Sequence, residues 1–262
     1  MNDRYEFARA LARKAGAMAL DFWRRRAELV VELKGPGDFV SHADREVEAL
    51  IRREIAAAFP GDGFLGEETA ASFDARAVDR CWVVDPIDGT HNFLRGIPYW
   101  NVAIAYVENG RATIGAVIDP PHDELYYAAR GRGAWCDAAG VTTRLRVADT
   151  SALPGAFVAL GHHDRSESPA YLELRRKMME AGVAMRNFGS AALQLSHVAA
   201  GRLDGFIELD LSLWDAIGAL AIVDEAGGYS APFLPPRPTA KAPCLACAPG
   251  IEAALKLLTG IR

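Results

Sequence analysis

The run Trp82-Val83-Val84-Asp85-Pro86-Ile87-Asp88-Gly89-Thr90-His91-Asn92-Phe93 constrains this chain more than any other stretch. An apolar strand leads into two carboxylates three residues apart, and a glycine and a hydroxyl follow at once. Pro86 fixes its own φ and is expected to end the strand in a turn, while Gly89 lets backbone N–H groups approach an anion closely. Hard divalent cations such as Mg²⁺ take oxygen ligands and keep several waters, so two or three carboxylates suffice when a substrate phosphate completes the shell. Asp85, Asp88 and the Ile87 carbonyl can supply those oxygens. The pattern reads as a metal site beside a phosphate site.

Apolar periodicity organises the rest. Phe7, Leu11, Ala15, Met18 and Phe22 recur at steps of three and four, which predicts a helix from about residue 3 to residue 27 whose apolar face covers a sheet. Residues 34–38 read as a loop. Ser41-His42-Ala43-Asp44 opens a second helix lined by Val47, Leu50, Ile51 and Ile55, and residues 59–63 close it. Two β-rich runs, 101–108 and 112–119, flank Asn109-Gly110 as a hairpin, and 124–129 and 133–137 extend it to a meander. From about residue 156 the order alternates between strand and helix, with helices near 168–181, 190–200, 213–226 and 251–258 and short strands near Phe157, Val183, Phe206, Tyr229 and Leu245. A proline-rich stretch, 231–243, reads as a surface loop. These readings divide the chain into an N-terminal α+β lobe, residues 1–145, and a C-terminal α/β lobe, residues 146–262, packed as one unit.

Charge and cysteine content exclude several classes. A net charge of -5 with no long Lys/Arg block argues against nucleic acid as a partner. Arg24-Arg25-Arg26 reads as the basic, solvated end of the first helix. No stretch approaches the ~20 apolar residues that cross a bilayer, and the first residues lack the order of a signal peptide, so the expected location is the cytoplasm. Cys244 and Cys247 have C-x-x-C spacing, but they fall in a run that reads as a buried strand, where residues three apart face opposite ways. Metal or redox use of that pair is not expected.

The twelve-residue run resembles the first signature of the inositol monophosphatase family, W-V-x-D-P-[IL]-D-G-T-x-N-F. Gly66-Glu67-Glu68 precedes it at the family's distance, and Trp214-Asp215 followed by Glu225-Ala226-Gly227-Gly228 resembles the second signature. The resemblance implies a layered α/β/α/β/α sandwich of the sugar phosphatase type, and hydrolysis of a phosphate monoester with two or three Mg²⁺ ions. It implies Glu67, Asp85 and the Ile87 carbonyl at the first metal, Asp85, Asp88 and Asp215 at the second, and Glu67 again at a third. Thr90 would orient the attacking water, with Asp44 as its acidic partner and Glu67 contacting the same water. Gly89 and Thr90 N–H groups would receive the phosphate. Residues 186–192, with Ala191 among them, and Glu208 would face the alcohol. Taken without the family, Asp44 is only the acid of a capping box, Glu67 and Glu68 an exposed pair after a turn, and Asp215 a first-turn helix residue.

Within the family, His91-Asn92 after the D-G-T favours an inositol phosphate, most of all myo-inositol 1-phosphate. A fructose 1,6-bisphosphatase or broad sugar phosphatase, a histidinol-phosphate phosphatase and a 3′-phosphoadenosine 5′-phosphate phosphatase stand as alternatives. A regulatory protein that keeps the fold without the activity is the non-enzyme alternative. The resemblance also implies a homodimer. His91 reads as a surface residue, since hard Mg²⁺ prefers oxygen, and His162-His163 as part of a loop able to shape specificity. Two departures stand out: Ala216-Ile217-Gly218-Ala219 puts Ile and Gly out of their usual order, which questions the angle of that helix, and Trp100 is bulky for a substrate rim or dimer contact.

Overall fold

The computed structural model describes residues 2–29, 31–35, 38–72, 79–162, 169–233, 235, 237 and 239–262. Its elements run α1 (Asn2–Arg24), β1 (Val31–Gly35), β2 (Asp38–Ser41), α2 (His42–Ala58), β3 (Gly63–Gly66), β4 (Arg80–Asp88), α3 (Thr90–Arg95), β5 (Asn101–Glu108), β6 (Arg111–Asp119), β7 (Glu124–Ala129), β8 (Ala134–Ala138) and β9 (Val141–Arg144). There follow β10 (Phe157–Leu160), α4 (Pro169–Glu180), β11 (Ala184–Arg186), α5 (Ala191–Ala199), β12 (Gly205–Leu211), α6 (Leu213–Glu225), β13 (Tyr229–Ser230), β14 (Ala242–Cys247) and α7 (Glu252–Thr259).

Strands β3 to β9 form a seven-stranded sheet in chain order, and β11-β10-β12-β14-β13 form a five-stranded one. Helices α1 and α2 cover the outer face of the first sheet, α5 and α6 lie between the sheets, and α4 and α7 cover the outer face of the second. The layers are therefore α/β/α/β/α, as the resemblance implied. Each face follows from alternation along its strands: Ile114, Ala116 and Ile118 of β6 pack under α1, whereas Val117 joins the middle layer. The hairpin reading holds, with Asn109 and Gly110 both at positive φ between β5 and β6. Cys244 packs into the middle layer and Cys247 into the outer one, so the C-x-x-C sulfurs do diverge.

Several local expectations are corrected. Strand β4 does not end at Pro86 but runs on to Asp88, because a β-bulge absorbs the proline: Asp85 pairs with Ala103 and Asp88 with Asn101, three residues against two. Residues 34, 35 and 38 belong to the β1–β2 pair rather than a loop, with Gly35 opposite Asp38, while 36 and 37 lie outside the described residues. Strand β3 carried little signal in its Gly-Phe-Leu-Gly and forms through parallel pairing with β4. Trp100 is fully buried against Phe93 and Trp23 beneath α1, so it belongs to the core and not to a rim.

The altered run in α6 also has a packing reason. A Cβ on Gly115 of β6 would lie 2.0 Å from the Gly218 carbonyl oxygen, and one on Gly218 would lie 3.3 Å from that of Ile104. Gly218 thus lets the helix backbone rest on the sheet, while Ile217 packs against Leu65, Cys81, Val83, Ala105 and Val107. Gly115→Ala is expected to cost about 3 kcal/mol or more in urea unfolding, because neither contacting backbone can yield. Gly61→Ala, with open space around it, should stay within about 0.5 kcal/mol of wild type.

His197 of α5 lies between Tyr99, whose hydroxyl is 3.3 Å from Nδ1, and Tyr126. Burial, with Arg202 adding to it, pushes its imidazole down to about 4. The unfolded chain, with a histidine near 6.5, takes up that proton first, so stability is lost as pH falls from about 6.5 towards 4. Over that interval wild type should lose about 2 kcal/mol more than His197→Gln, read by urea unfolding at each pH.

Candidate active site

The bulge in β4 decides where the carboxylates point. In a regular strand, residues three apart face opposite ways; the extra residue returns Asp88 to the face of Asp85, towards α5 and α6, and leaves Ile87 in the core beneath α1 and α2. Asp85 is buried, and its Oδ1 accepts the Ile87 N–H at 2.9 Å, which fixes the carboxylate against its own turn. Glu67 follows the end of β3 and donates its N–H to the Val84 carbonyl at 3.1 Å, continuing the pairing with β4. Asp215 stands in the first turn of α6. Carboxylate oxygens of Glu67, Asp85 and Asp215 all lie within 4.8 Å of one another, the one such acidic or metal-ligating trio among the described residues.

Three carboxylates in so small a volume repel. Burial, then the charges of Glu67, Asp88 and Asp215, push Asp85 well above the usual carboxylate range. Burial and Asp88 push Asp215 up to about 7, opposed by a hydrogen bond with Asp85 and by Lys241. The donor set consists of oxygens alone, two of the trio are half-buried, and Asp85 holds its charge there only beside a cation. These residues therefore fit a hard divalent ion of the Mg²⁺ type and not a soft metal.

Asp88 stands outside that trio and is tied to the protein. Its Oδ2 accepts from Asn101 Nδ2 at 2.7 Å, Ser190 Oγ at 2.8 Å and Ala192 N at 2.7 Å, and its Oδ1 from Ala191 N at 3.2 Å. It thereby caps α5, whose own Ser190 makes no side-chain cap. Burial raises its pKa, and these four hydrogen bonds work against the rise.

Asp44 closes the capping box of α2 and also faces Thr90. Its Oδ2 accepts from Ser41 N at 2.9 Å and Ser41 Oγ at 2.6 Å, completing a capping box, while its Oδ1 faces the Thr90 hydroxyl at 3.4 Å. Burial pushes it up to about 6. The single Thr90 hydroxyl proton is shared between Asp44 and the Ile87 carbonyl, 3.1 Å away. Gly89 adopts φ of 97° to start α3, and a Cβ there would lie 3.2 Å from the carbonyl oxygens of Gly189 and Tyr99. Glu208, on β12, is pushed up to about 8 by burial and by the charges of Asp215 and Asp88, with Lys241 opposing. Gly161 makes room for it, since a Cβ there would lie 2.1 Å from Glu208 Oε2. His91 is exposed and His162 stacks on Tyr171; His163 lies outside the described residues.

Sequence reasoning missed the support that four residues give, Ser190 having been placed only within the run 186–192 that faces the alcohol. Glu48 is a buried acid on the apolar face of α2 and accepts the Glu68 N–H at 2.8 Å, holding the turn that carries Glu67. An acid among Val47, Leu50 and Ile51 was the available signal. Asn101 and Ser190 complete the shell around Asp88, and Lys241, 3.9 Å from Asp210, is the cation that both Asp215 and Glu208 sense. Nothing local in the sequence marks these three.

A family model described as the inositol monophosphatase family matches residues 1–254. Over 220 residues the chain is 44% identical to an inositol-1-monophosphatase of Rhizobium meliloti (strain 1021), covering 83% of this chain and 80% of that one. It is 35% identical over 224 residues to Nus factor SuhB of Escherichia coli (strain K12), covering 85% and 82%. Among solved structures, the Thermotoga maritima IMPase matches with a TM-score of 0.85 at 32% identity, covering 98% of this chain and 97% of that one.

The crowded carboxylates predict a cation-dependent fold. Millimolar Mg²⁺ should raise the melting temperature over an EDTA control, with about 2.7 kcal/mol gained at 100 times the dissociation constant. Asp85→Asn should melt above wild type in EDTA, because a neutral amide keeps the Ile87 contact without the repulsion, and should respond little to Mg²⁺.

Proposed function

The chain belongs to the inositol monophosphatase family, and we propose that it hydrolyses the phosphate monoester of a polyol, with myo-inositol 1-phosphate as its preferred substrate and Mg²⁺ as its cofactor. The observation that carries this reading is the convergence of Glu67, Asp85 and Asp215 from three separate elements onto one small volume, with Glu208 beside it. Asp85 would bridge two ions, with Glu67 and the Ile87 carbonyl completing one set and Asp88 and Asp215 the other; Glu67 would also serve a third. When bound, such ions supply positive charge to the phosphate and to the leaving oxygen and lower the pKa of a coordinated water.

The chain's own groups do the positioning. Thr90, its hydroxyl held between Asp44 Oδ1 and the Ile87 carbonyl, orients the water that attacks phosphorus. With Asp44 ionised, the carboxylate accepts a hydrogen bond from the Thr90 hydroxyl, which leaves the threonine oxygen a lone pair to accept from that water. Glu67 contacts the same water. Gly89 and Thr90 N–H groups receive the phosphate oxygens. Glu208 accepts hydrogen bonds from neighbouring alcohol hydroxyls, and Ala191, at the start of α5, flanks the same end of the substrate. A carboxylate at that place favours a polyol over a hydrophobic alcohol.

The name of the Rhizobium relative supports the inositol reading, whereas the Escherichia coli relative is named as a Nus factor. A role apart from catalysis is therefore tested alongside the activity. A homodimer is part of the proposal by family resemblance alone, and sedimentation tests it.

The deciding experiment measures inorganic phosphate released, with Mg²⁺, from myo-inositol 1-phosphate, fructose 1,6-bisphosphate, histidinol phosphate and 3′-phosphoadenosine 5′-phosphate. Inositol 1-phosphate should give the highest kcat/KM. Asp85→Asn should lower it by about 10²–10³, as expected when one electrostatic stabiliser is removed. Glu208→Gln should raise KM for the inositol ester by about tenfold and leave an aryl phosphate unaffected. Turnover of another ester alone would move the substrate, and no turnover of any would favour the non-enzyme reading.

A further inference from the structure

Asp88 presents its two carboxylate oxygens unequally. Oδ2 accepts three hydrogen bonds, from Asn101 Nδ2 at 2.7 Å, Ser190 Oγ at 2.8 Å and Ala192 N at 2.7 Å, whereas Oδ1 accepts a single longer one, from Ala191 N at 3.2 Å. A carboxylate oxygen offers about two lone-pair positions. The protein therefore occupies Oδ2 fully, and Oδ1 is the oxygen left for a cation.

Asn101 organises this asymmetry. It stands opposite Asp88 where the β4–β5 ladder resumes after the bulge, and it is fully buried. Its amide nitrogen donates one hydrogen to Asp88 Oδ2 and the other to Ser190 Oγ at 2.8 Å. Ser190 in turn directs its only hydroxyl proton at the same Oδ2. The amide thus acts twice, by its own hydrogen bond and by fixing which way the serine hydroxyl points. Because an ionised carboxylate can only accept, the amide nitrogen must face it, and the amide oxygen is left buried without a hydrogen bond among the described residues. An unpaired buried carbonyl destabilises the fold, and an apolar residue in its place would avoid that. What the amide supplies at this position is control of Asp88.

That control bears on the choice of ion. Ca²⁺ takes oxygens at about 2.3–2.6 Å in flexible geometry and uses a carboxylate through one oxygen or both, while Mg²⁺ demands a near-octahedral shell at about 2.0–2.1 Å. A carboxylate held to one free oxygen suits the smaller ion and denies the larger its two-oxygen mode. Asp88 lies on the face of β4 that carries Asp85, and both Asp85 and Asp215 sense its charge.

We propose, on the reading of Asp88 as a metal ligand, that Asn101 is a positioning residue which, with Ser190, holds Asp88 to one-oxygen ligation and so makes the site selective for Mg²⁺ over Ca²⁺. Asn101 acts only through Asp88 and the serine.

Calorimetric titration of the metal-free chain with MgCl₂ and, separately, with CaCl₂ gives the ratio of the two affinities, which a general loss of stability does not shift. Asn101→Ala should weaken Mg²⁺ binding about tenfold, the scale expected when a partner of a metal ligand is removed, and leave Ca²⁺ binding unchanged or tighter. Ser190→Ala, which keeps the Asn101–Asp88 hydrogen bond, should move the ratio the same way by a smaller factor. Melting in EDTA, followed by circular dichroism, establishes which variants fold, and Ser190→Ala carries the test if Asn101→Ala does not. Asp88→Asn separates this proposal from the reading beneath it. Mg²⁺ binding weakened in Asp88→Asn, with the wild-type ratio kept in every Asn101 and Ser190 variant that folds, overturns the proposal and leaves Asp88 a ligand. Mg²⁺ binding unaltered in Asp88→Asn overturns the proposal and leaves the site to Glu67, Asp85 and Asp215. A wild-type chain that binds neither ion overturns the metal reading and the proposal together.

Discussion

Like charges do not gather in a protein interior unless something stronger holds them, and the candidate active site is organised around that constraint. Asp85 is buried and lies within reach of Glu67, Asp88 and Asp215, each of which raises the cost of its charge. The carboxylates are carried on separate elements, each anchored by contacts that owe nothing to the site: Glu67 by strand pairing and by Glu48 beneath its turn, Asp215 by a helix seated on the sheet at Gly115 and Gly218. Repulsion at the centre is thus resisted by packing at the periphery. A cation turns the same arrangement from a strain into an attraction.

The bulge at Pro86 and Ile87 is the local device that makes the arrangement usable. It brings both aspartates of one strand to one face, and it separates their environments. Asp85 faces other acids. Asp88 faces donors, four of them, two from the backbone at the start of α5. One strand therefore presents a charge-crowded carboxylate for cations and a hydrogen-bonded carboxylate that ties the first sheet to the middle layer. The clamp on α5 also fixes Ala191, which the proposed substrate end requires.

Helices α5 and α6 are the shared parts of the molecule, packed between two sheets and contributing to the core of both. Asp215 opens α6, while Glu225 at its far end accepts the Gly131 and Gly133 N–H groups and ties the helix to the turn after β7. Ten residues of helix, roughly 15 Å, join the two places.

Much of this was legible in the chain itself. Helical and alternating periodicities gave the long helices and the β5–β8 meander, because burial of one face imposes those periods wherever an element is long. The run from Trp82 to Phe93, with Glu67 and Asp215, marked the site, since hard cations need oxygens and few sequences place so many with a proline and glycine between them. Short elements escaped: β3 and β9 carry little pattern and exist because a neighbouring strand pairs with them. Pro86 misled for a related reason, since a proline forbids one ladder hydrogen bond but a bulge has none to lose there. Trp100 looked like a rim residue and lies in the core, a matter of which face it took. The contact of Asp44 with Thr90, the clamp on Asp88 and Glu48 beneath the turn of Glu67 join residues distant in sequence. The sequence by itself determined which chemistry the carboxylates can perform; tertiary structure alone decided which of them crowd together and which are held apart, because that depends on distances no local pattern encodes.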